Sequence, residues 1–161
     1  MKKLVTLMMV LCLMLSLTAC GGKEEQRGEP STHGEALLFA FEDLAKEGKD
    51  AQTIADTLCT NEVIPFMAMS MPVEEGFLSG FTTEITGFEQ GVMFGPAIGS
   101  IPFVGYVFEL ADGADTAAFM QTLADNADLR WNICVEAEEA VYGAEGNMVF
   151  FVMCNKDLSA E

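Results

Sequence analysis

The chain has one histidine, His33, and only eight basic residues against 25 acidic ones in 161. A lone histidine close to the N-terminus leaves little from which to build a Ser–His–Asp or Cys–His nucleophilic centre. No cluster of lysine and arginine exists, and a formal net charge of −17 repels nucleic-acid phosphate. Five cysteines occur without C-x-x-C or C-x-x-H spacing, so a zinc cluster has no sequence basis. Ser79 lacks the G-x-S-x-G elbow, and neither a phosphate-binding loop nor a dinucleotide fingerprint is present. No internal repeat is visible. These absences remove the familiar catalytic and nucleotide-binding classes and leave no cofactor to expect.

Some chemistry survives them. The carboxylate pairs Glu74–Glu75 and Glu138–Glu139 keep a two-carboxylate hydrolase as a third reading. Asp125, Asn126 and Asp128 imitate a calcium loop but lack its glycine and distal glutamate. Arg130, beside the single tryptophan Trp131, has Asp128 as its local partner, with anion binding the sharper alternative. Residues 90–108 carry no charge, but Pro96 and Pro102 would break a membrane helix there. Two buried strands joined by the turn GPAIGSIP are expected instead. Its Ile98, Ile101, Pro102 and Phe103 form a possible apolar interaction surface.

What the chain does have begins at its N-terminus. Lys2 and Lys3 precede 16 charge-free residues, Leu4 to Ala19, ending in Leu17-Thr18-Ala19-Cys20. A basic start, an apolar run and small residues at a cut site make a secretory signal. The run is short for a bilayer core about 30 Å thick, so removal is expected rather than a permanent span. The arrangement resembles the bacterial lipoprotein signal, the lipobox. That resemblance implies lipid modification of Cys20 and its exposure as the first residue of the mature chain. Two acyl chains at about 0.8 kcal/mol per buried methylene would hold the protein at the membrane. The mature chain would keep all 25 acids but six of the basic residues, a net charge of −19.

Residues 21–34 (GGKEEQRGEPSTHG) contain no core-forming side chain and read as a flexible tether, with a reach of roughly 20 Å. Gly21 stands where an inner-membrane retention aspartate would sit. The expected organisation is a signal over 1–19, lipidated cysteine and tether over 20–34, one domain over 35–158, and a tail over 159–161.

Thr32-x-x-Glu35 reads as a capping box, and Leu37, Leu38, Phe41, Leu44 and Ala45 follow at helical spacing. Gly48 stops that helix, and Asp50 caps a second carrying Ala51, Ile54, Ala55 and Leu58. Strand character then takes over: Met67, Met69 and Met71 alternate with Ala68 and Ser70, and 77–88 and 103–110 are β-prone. A helix capped by Asp112 or Asp115 precedes alternating Trp131, Ile133 and Val135. Residues 136–142 fit either helix or loop, and Met148–Met153 reads as a fully buried strand. The expected fold is α+β: an N-terminal helical hairpin on a mostly antiparallel sheet, with a later strand–helix–strand unit. Cys59, Cys134 and Cys154 are expected as buried thiols or with a Cys134–Cys154 bridge.

The methionine array is the second chemical feature. Thioethers are soft ligands suited to Cu(I), so Met67, Met69 and Met71 offer a metal site, with Met93 and Cys59 as further donors. Core packing by flexible side chains is the competing explanation.

Three stretches, GFLSGFTTEITGF, GPAIGSIPFVGYVFEL and ADNADLRWNIC, resemble small lipoproteins of anaerobic Gram-positive bacteria, a group without an assigned activity. The resemblance carries over one residue role, lipidation of Cys20. The expected function is a non-enzymatic, lipid-anchored binding or interaction protein on the extracytoplasmic face of the cell membrane. Its partners are the membrane itself and an envelope protein or small molecule. Cu(I) handling through the methionines is the alternative.

Overall fold

A computed structural model describes residues 28–160, so the signal segment, Cys20 and the first half of the tether lie outside the described residues. Helix α1 (His33–Lys46) is capped at Thr32, whose Oγ1 accepts from the Glu35 N–H at 3.2 Å. The reciprocal half of the box is displaced by one residue. Glu35 accepts from the backbone and hydroxyl of Ser31, both at 2.7 Å. Helix α2 (Ala51–Leu58) starts at Asp50, which accepts from the Thr53 N–H at 3.0 Å. Leu37, Phe41, Ile54 and Leu58, spaced at one helical face, are fully buried. The hairpin is therefore as its pattern predicts.

The strands are β1 (Ala68–Val73), β2 (Gly76–Phe77), β3 (Glu84–Ile85), β4 (Gln90–Pro96), β5 (Val104–Glu109), β6 (Glu139–Glu145) and β7 (Met148–Cys154). Helix α3 (Thr116–Asn126), capped by Asp115, stands between β5 and β6. Five strands form one wholly antiparallel sheet in the order β1-β4-β5-β7-β6, while β2 and β3 pair separately. The unit β5–α3–β6 is a split strand–helix–strand, with β7 inserted between its two parallel strands. The α+β fold is thus as the sequence predicts.

Both faces of the sheet are covered. Along β7 the side chains alternate: Phe150, Val152 and Cys154 face the helical hairpin, and Val149, Phe151 and Met153 face α3 and the 78–88 segment. Such a strand needs apolar residues on both sides, and that is why it shows no polar alternation. Phe150 lies 5.4 Å from Phe41 in a stack, and Phe151 lies 5.0 Å from Phe81. Each buried ring contributes about 1.5–3 kcal/mol through removal from water.

Two segments depart from expectation. Residues 131–135 form turns rather than a strand. Asp128 accepts from the Arg130 N–H at 2.9 Å, and the Trp131 and Val135 N–H groups close onto the carbonyls of Asp128 and Asn132. These local bonds out-compete the ladder, and Ile133 is left 96 % exposed. Conversely, residues 139–145 form the edge strand β6, although the helix-forming run Glu-Ala-Glu-Glu-Ala over 136–140 overlaps its start. Pairing with the apolar β7 overrides local propensity, through a two-residue turn at Gly146-Asn147 with positive φ at the glycine. The 77–88 stretch is largely irregular, reduced to the short β2–β3 pair and a bridge from Phe81 to Ala127.

A methionine face on the edge of the sheet

The candidate site arises from strand parity. In β1, Ala68 and Ser70 face the helical hairpin, where the Ser70 hydroxyl bonds Asp56 and accepts from Gln52 at 2.9 Å. Met69 and Met71 therefore point to the opposite face. Register places Met93 of β4 directly across from Met71, and Met69 across from Gly95. Met67 extends the row by one step, its carbonyl accepting from Ala97 N–H at 2.8 Å. The methionines are the outward side chains of the edge strand: Met67 is 72 %, Met69 44 % and Met71 39 % exposed. Core packing does not account for side chains placed there.

Met69, Met71 and Met93 line a cavity of about 140 Å³ whose far wall includes Ser79, Val104 and Trp131. The wall is fixed from below. Tyr106 donates its hydroxyl to the Ser79 carbonyl at 2.7 Å, and burial pushes the phenol above its ordinary range, so it stays a donor. Gly80, at φ +91°, lets the chain pass against Val104 and Trp131. A Cβ there would run into the flexible end of Met153 and stand 3.3 Å from Val104 and 3.9 Å from the Trp131 ring. Asp128 N–H bonds the Gly80 carbonyl at 2.9 Å and ties the tryptophan loop to this segment. The Met67/Met69/Met71 row and Met93 are visible in the sequence. Trp131 and Ser79 come to it only through the fold.

The other candidates disperse. Cys59 packs with the helical hairpin on the opposite face, so it cannot join the methionines. Burial and the nearby Asp56 raise its thiol to about 11. Cys154 is buried on that same face and raised to about 12, mainly by burial and further by Glu139 and Glu138. Cys134 is exposed in the 127–138 loop, and all three thiols are free. The expected burial of Cys134 and its bridge to Cys154 are therefore corrected, because the turns at Asp128 and Asn132 hold its segment out of the sheet.

The expected apolar surface shrinks as well. Ile98 is exposed at the tip of the β4–β5 hairpin, but Ile101 is half-buried and Pro102 and Phe103 are buried. Phe103 makes edge-on contacts with Phe66 at 5.3 Å and Phe94 at 5.7 Å, so it belongs to the core. Arg130 pairs with Glu136 at 3.5 Å instead of giving its side chain to Asp128, which takes its backbone N–H. Glu75 accepts from Gly87 N–H at 2.6 Å and Glu138 from Lys156 N–H at 2.9 Å. The two carboxylate pairs thus stand beside β1 and β6, the opposite edges of the sheet. Asp125 and Asn126 bond locally to Gln121 and to the Thr122 carbonyl. Among the described residues no group of three or more His, Cys, Asp or Glu converges for a metal, and no helix is long and apolar enough to cross a membrane.

His33 is held more firmly than its position beside the tether suggests. Its N–H bonds the Lys156 carbonyl at 2.9 Å, and its Nδ1 accepts from Leu158 N–H at 2.8 Å. These bonds root the chain's entry into the domain against its C-terminal segment.

No family model, no curated protein sequence and no solved structure matches this chain.

Proposed function

We propose that the chain is a lipid-anchored binding protein of the extracytoplasmic membrane face, tethered through an acylated Cys20 and without catalytic chemistry of its own. The methionine face of β1 is its ligand-binding surface. The observation that carries this reading is the outward row Met67, Met69 and Met71 beside a preformed cavity. An edge strand exposed to water is ordinarily lined with polar or charged side chains, so three alternating apolar ones point to a use. Lipid anchoring fits the placement of this face. The root of the tether at His33–Lys156, the N-terminal end of β1 and the C-terminal end of β7 share one end of the sheet. A tether reaching roughly 20 Å would keep that end near the bilayer, while the acidic surface holds the body off anionic headgroups.

The anchor is tested by expressing the full chain and its Cys20→Ala variant and partitioning both between detergent and aqueous phases. The parent is expected in the detergent phase as a processed, acylated form. The variant is expected to remain unprocessed. An equal partition and equal processing of the two would overturn the anchor.

A further inference from the structure

We infer that the cavity between β1, β4 and Trp131 is a soft-cation site, in which the thioethers of Met69, Met71 and Met93 take a monovalent d¹⁰ ion such as Cu(I). The inference rests on the reading of this face as the ligand-binding surface and names its ligand class. Three observations carry it. First, the strand register sets Met71 opposite Met93 and Met69 one step along the same face, so three thioethers converge from two rigid strands. Cross-strand neighbours of this kind have Cβ atoms about 4.5–5.5 Å apart, within the span of flexible thioether arms. Second, the cavity measures about 140 Å³, well below the 300–1,000 Å³ of pockets that enclose organic ligands. It suits an ion rather than a metabolite.

Third, the donor set selects its cation. Thioether sulfur is neutral and soft, so it favours Cu(I) over Mg²⁺, Ca²⁺ or Zn²⁺, which prefer oxygen, imidazole or thiolate. Trp131 also lines the cavity, and an indole is the ring that best stabilises a nearby cation. The excess of 25 acids over eight basic residues draws cations toward the whole domain. Thioethers carry no proton at any relevant pH. Binding therefore releases none, unlike a site of thiols, imidazoles or carboxylates. That pH independence is the signature of these ligands.

The chain's one tryptophan lines the cavity and supplies the readout. The full chain, its accessible thiols first alkylated so that Cys134 does not compete, is titrated with Ag(I) as a redox-inert soft probe, and then with Cu(I) under anaerobic conditions. Saturable quenching of indole fluorescence at one equivalent is expected, unchanged between pH 5 and 8, with none from Zn²⁺ or Ca²⁺. Met69→Leu, Met71→Leu and Met93→Leu keep volume and apolarity. Each should weaken binding by about tenfold or more, since loss of a mere supporting group already costs 10–100-fold. The triple variant should show no saturable phase. Absence of quenching in the parent, quenching that persists in the triple variant, or affinity that falls with acid would each overturn the site. Detergent partition of the same chain reads the anchor separately, so failure here leaves that result standing.

Discussion

Gly105 offers the sharpest test of how the sheet is assembled. It lies in β5 directly opposite Phe94 of β4, and the Phe94 ring covers it. A Cβ at Gly105 would fall inside the ring's van der Waals envelope, with even Cε2 of Phe94 at 2.8 Å. Phe94 has nowhere to go, because Phe103 lies 5.7 Å and Phe150 6.2 Å away between ring centres. Overpacking of this kind costs about 1–3 kcal/mol. For a domain of this size that is a fall in Tm of roughly 5–12 °C. Phe94→Leu alone opens space and costs about 1–2 kcal/mol, less than the 3–5 of a truncation to alanine. In the double variant Gly105→Ala/Phe94→Leu the new methyl occupies the space that the ring gave up. Its stability should match Phe94→Leu, giving a coupling of about 2 kcal/mol, within the usual range for touching residues. Gly95→Ala is the control: its Cβ would lie 3.5 Å from the Phe103 carbonyl, an ordinary contact, and should shift stability by no more than about 0.5 kcal/mol. Thermal and urea melts of the parent and these four variants decide it. A Gly105→Ala protein as stable as the parent, or strict additivity in the pair, would refute this packing.

Thiol accessibility should divide cleanly. Cys134 is expected to react with an aromatic disulfide reagent at once, half-buried Cys59, raised to about 11, more slowly, and buried Cys154, raised to about 12, only as the domain opens. Equal rates for all three would contradict their placement. Asp50 is held below its ordinary 3.8 by hydrogen bonds from the Thr53 backbone and side chain. A depressed carboxylate stabilises the fold above its unfolded value and loses that contribution as pH falls through its folded one. The Tm advantage of the parent over Asp50→Asn, which still caps, should therefore shrink as pH is lowered through and below 3.8; a constant or growing advantage would reverse the assignment. At the β4–β5 hairpin, Ile98→Asp should leave Tm within a degree or two, whereas Phe103→Ala should cost about 3–5 kcal/mol in a urea melt.

Much of the fold is legible where one signal has no competitor. Thr32, Asp50 and Asp115 announce their helices because a side-chain oxygen three residues before a free N–H has few other uses. The uncharged 90–108 stretch resolves into β4 and β5 because its prolines forbid a helix. Illegible parts are those decided at a distance. Residues 136–142 read as helix or loop, yet 139–145 become a strand because β7 needs an edge partner, and only the Gly146-Asn147 turn hints at it. Residues 131–135 alternate like a strand, yet Asp128 and Asn132 capture the backbone locally. The same holds for the site. Alternation puts Met67, Met69 and Met71 on one face, but parity alone does not say which face meets water. That is settled by Ser70 turning to Asp56 and Gln52 on α2, and Trp131 arrives across 60 residues of chain through Gly80.

The methionine methyl groups report most directly on whether this face is the binding surface. With ¹³C-labelled methionine, the alkylated chain should give Cε signals from the exposed edge row and from Met120, Met148 and Met153, which pack into the domain. On addition of one equivalent of Ag(I), the signals of Met69, Met71 and Met93 should move together and saturate, while those of Met120, Met148 and Met153 stay in place. No shift at all, or a drift spread evenly over every methionine, would contradict a site on the β1–β4 face.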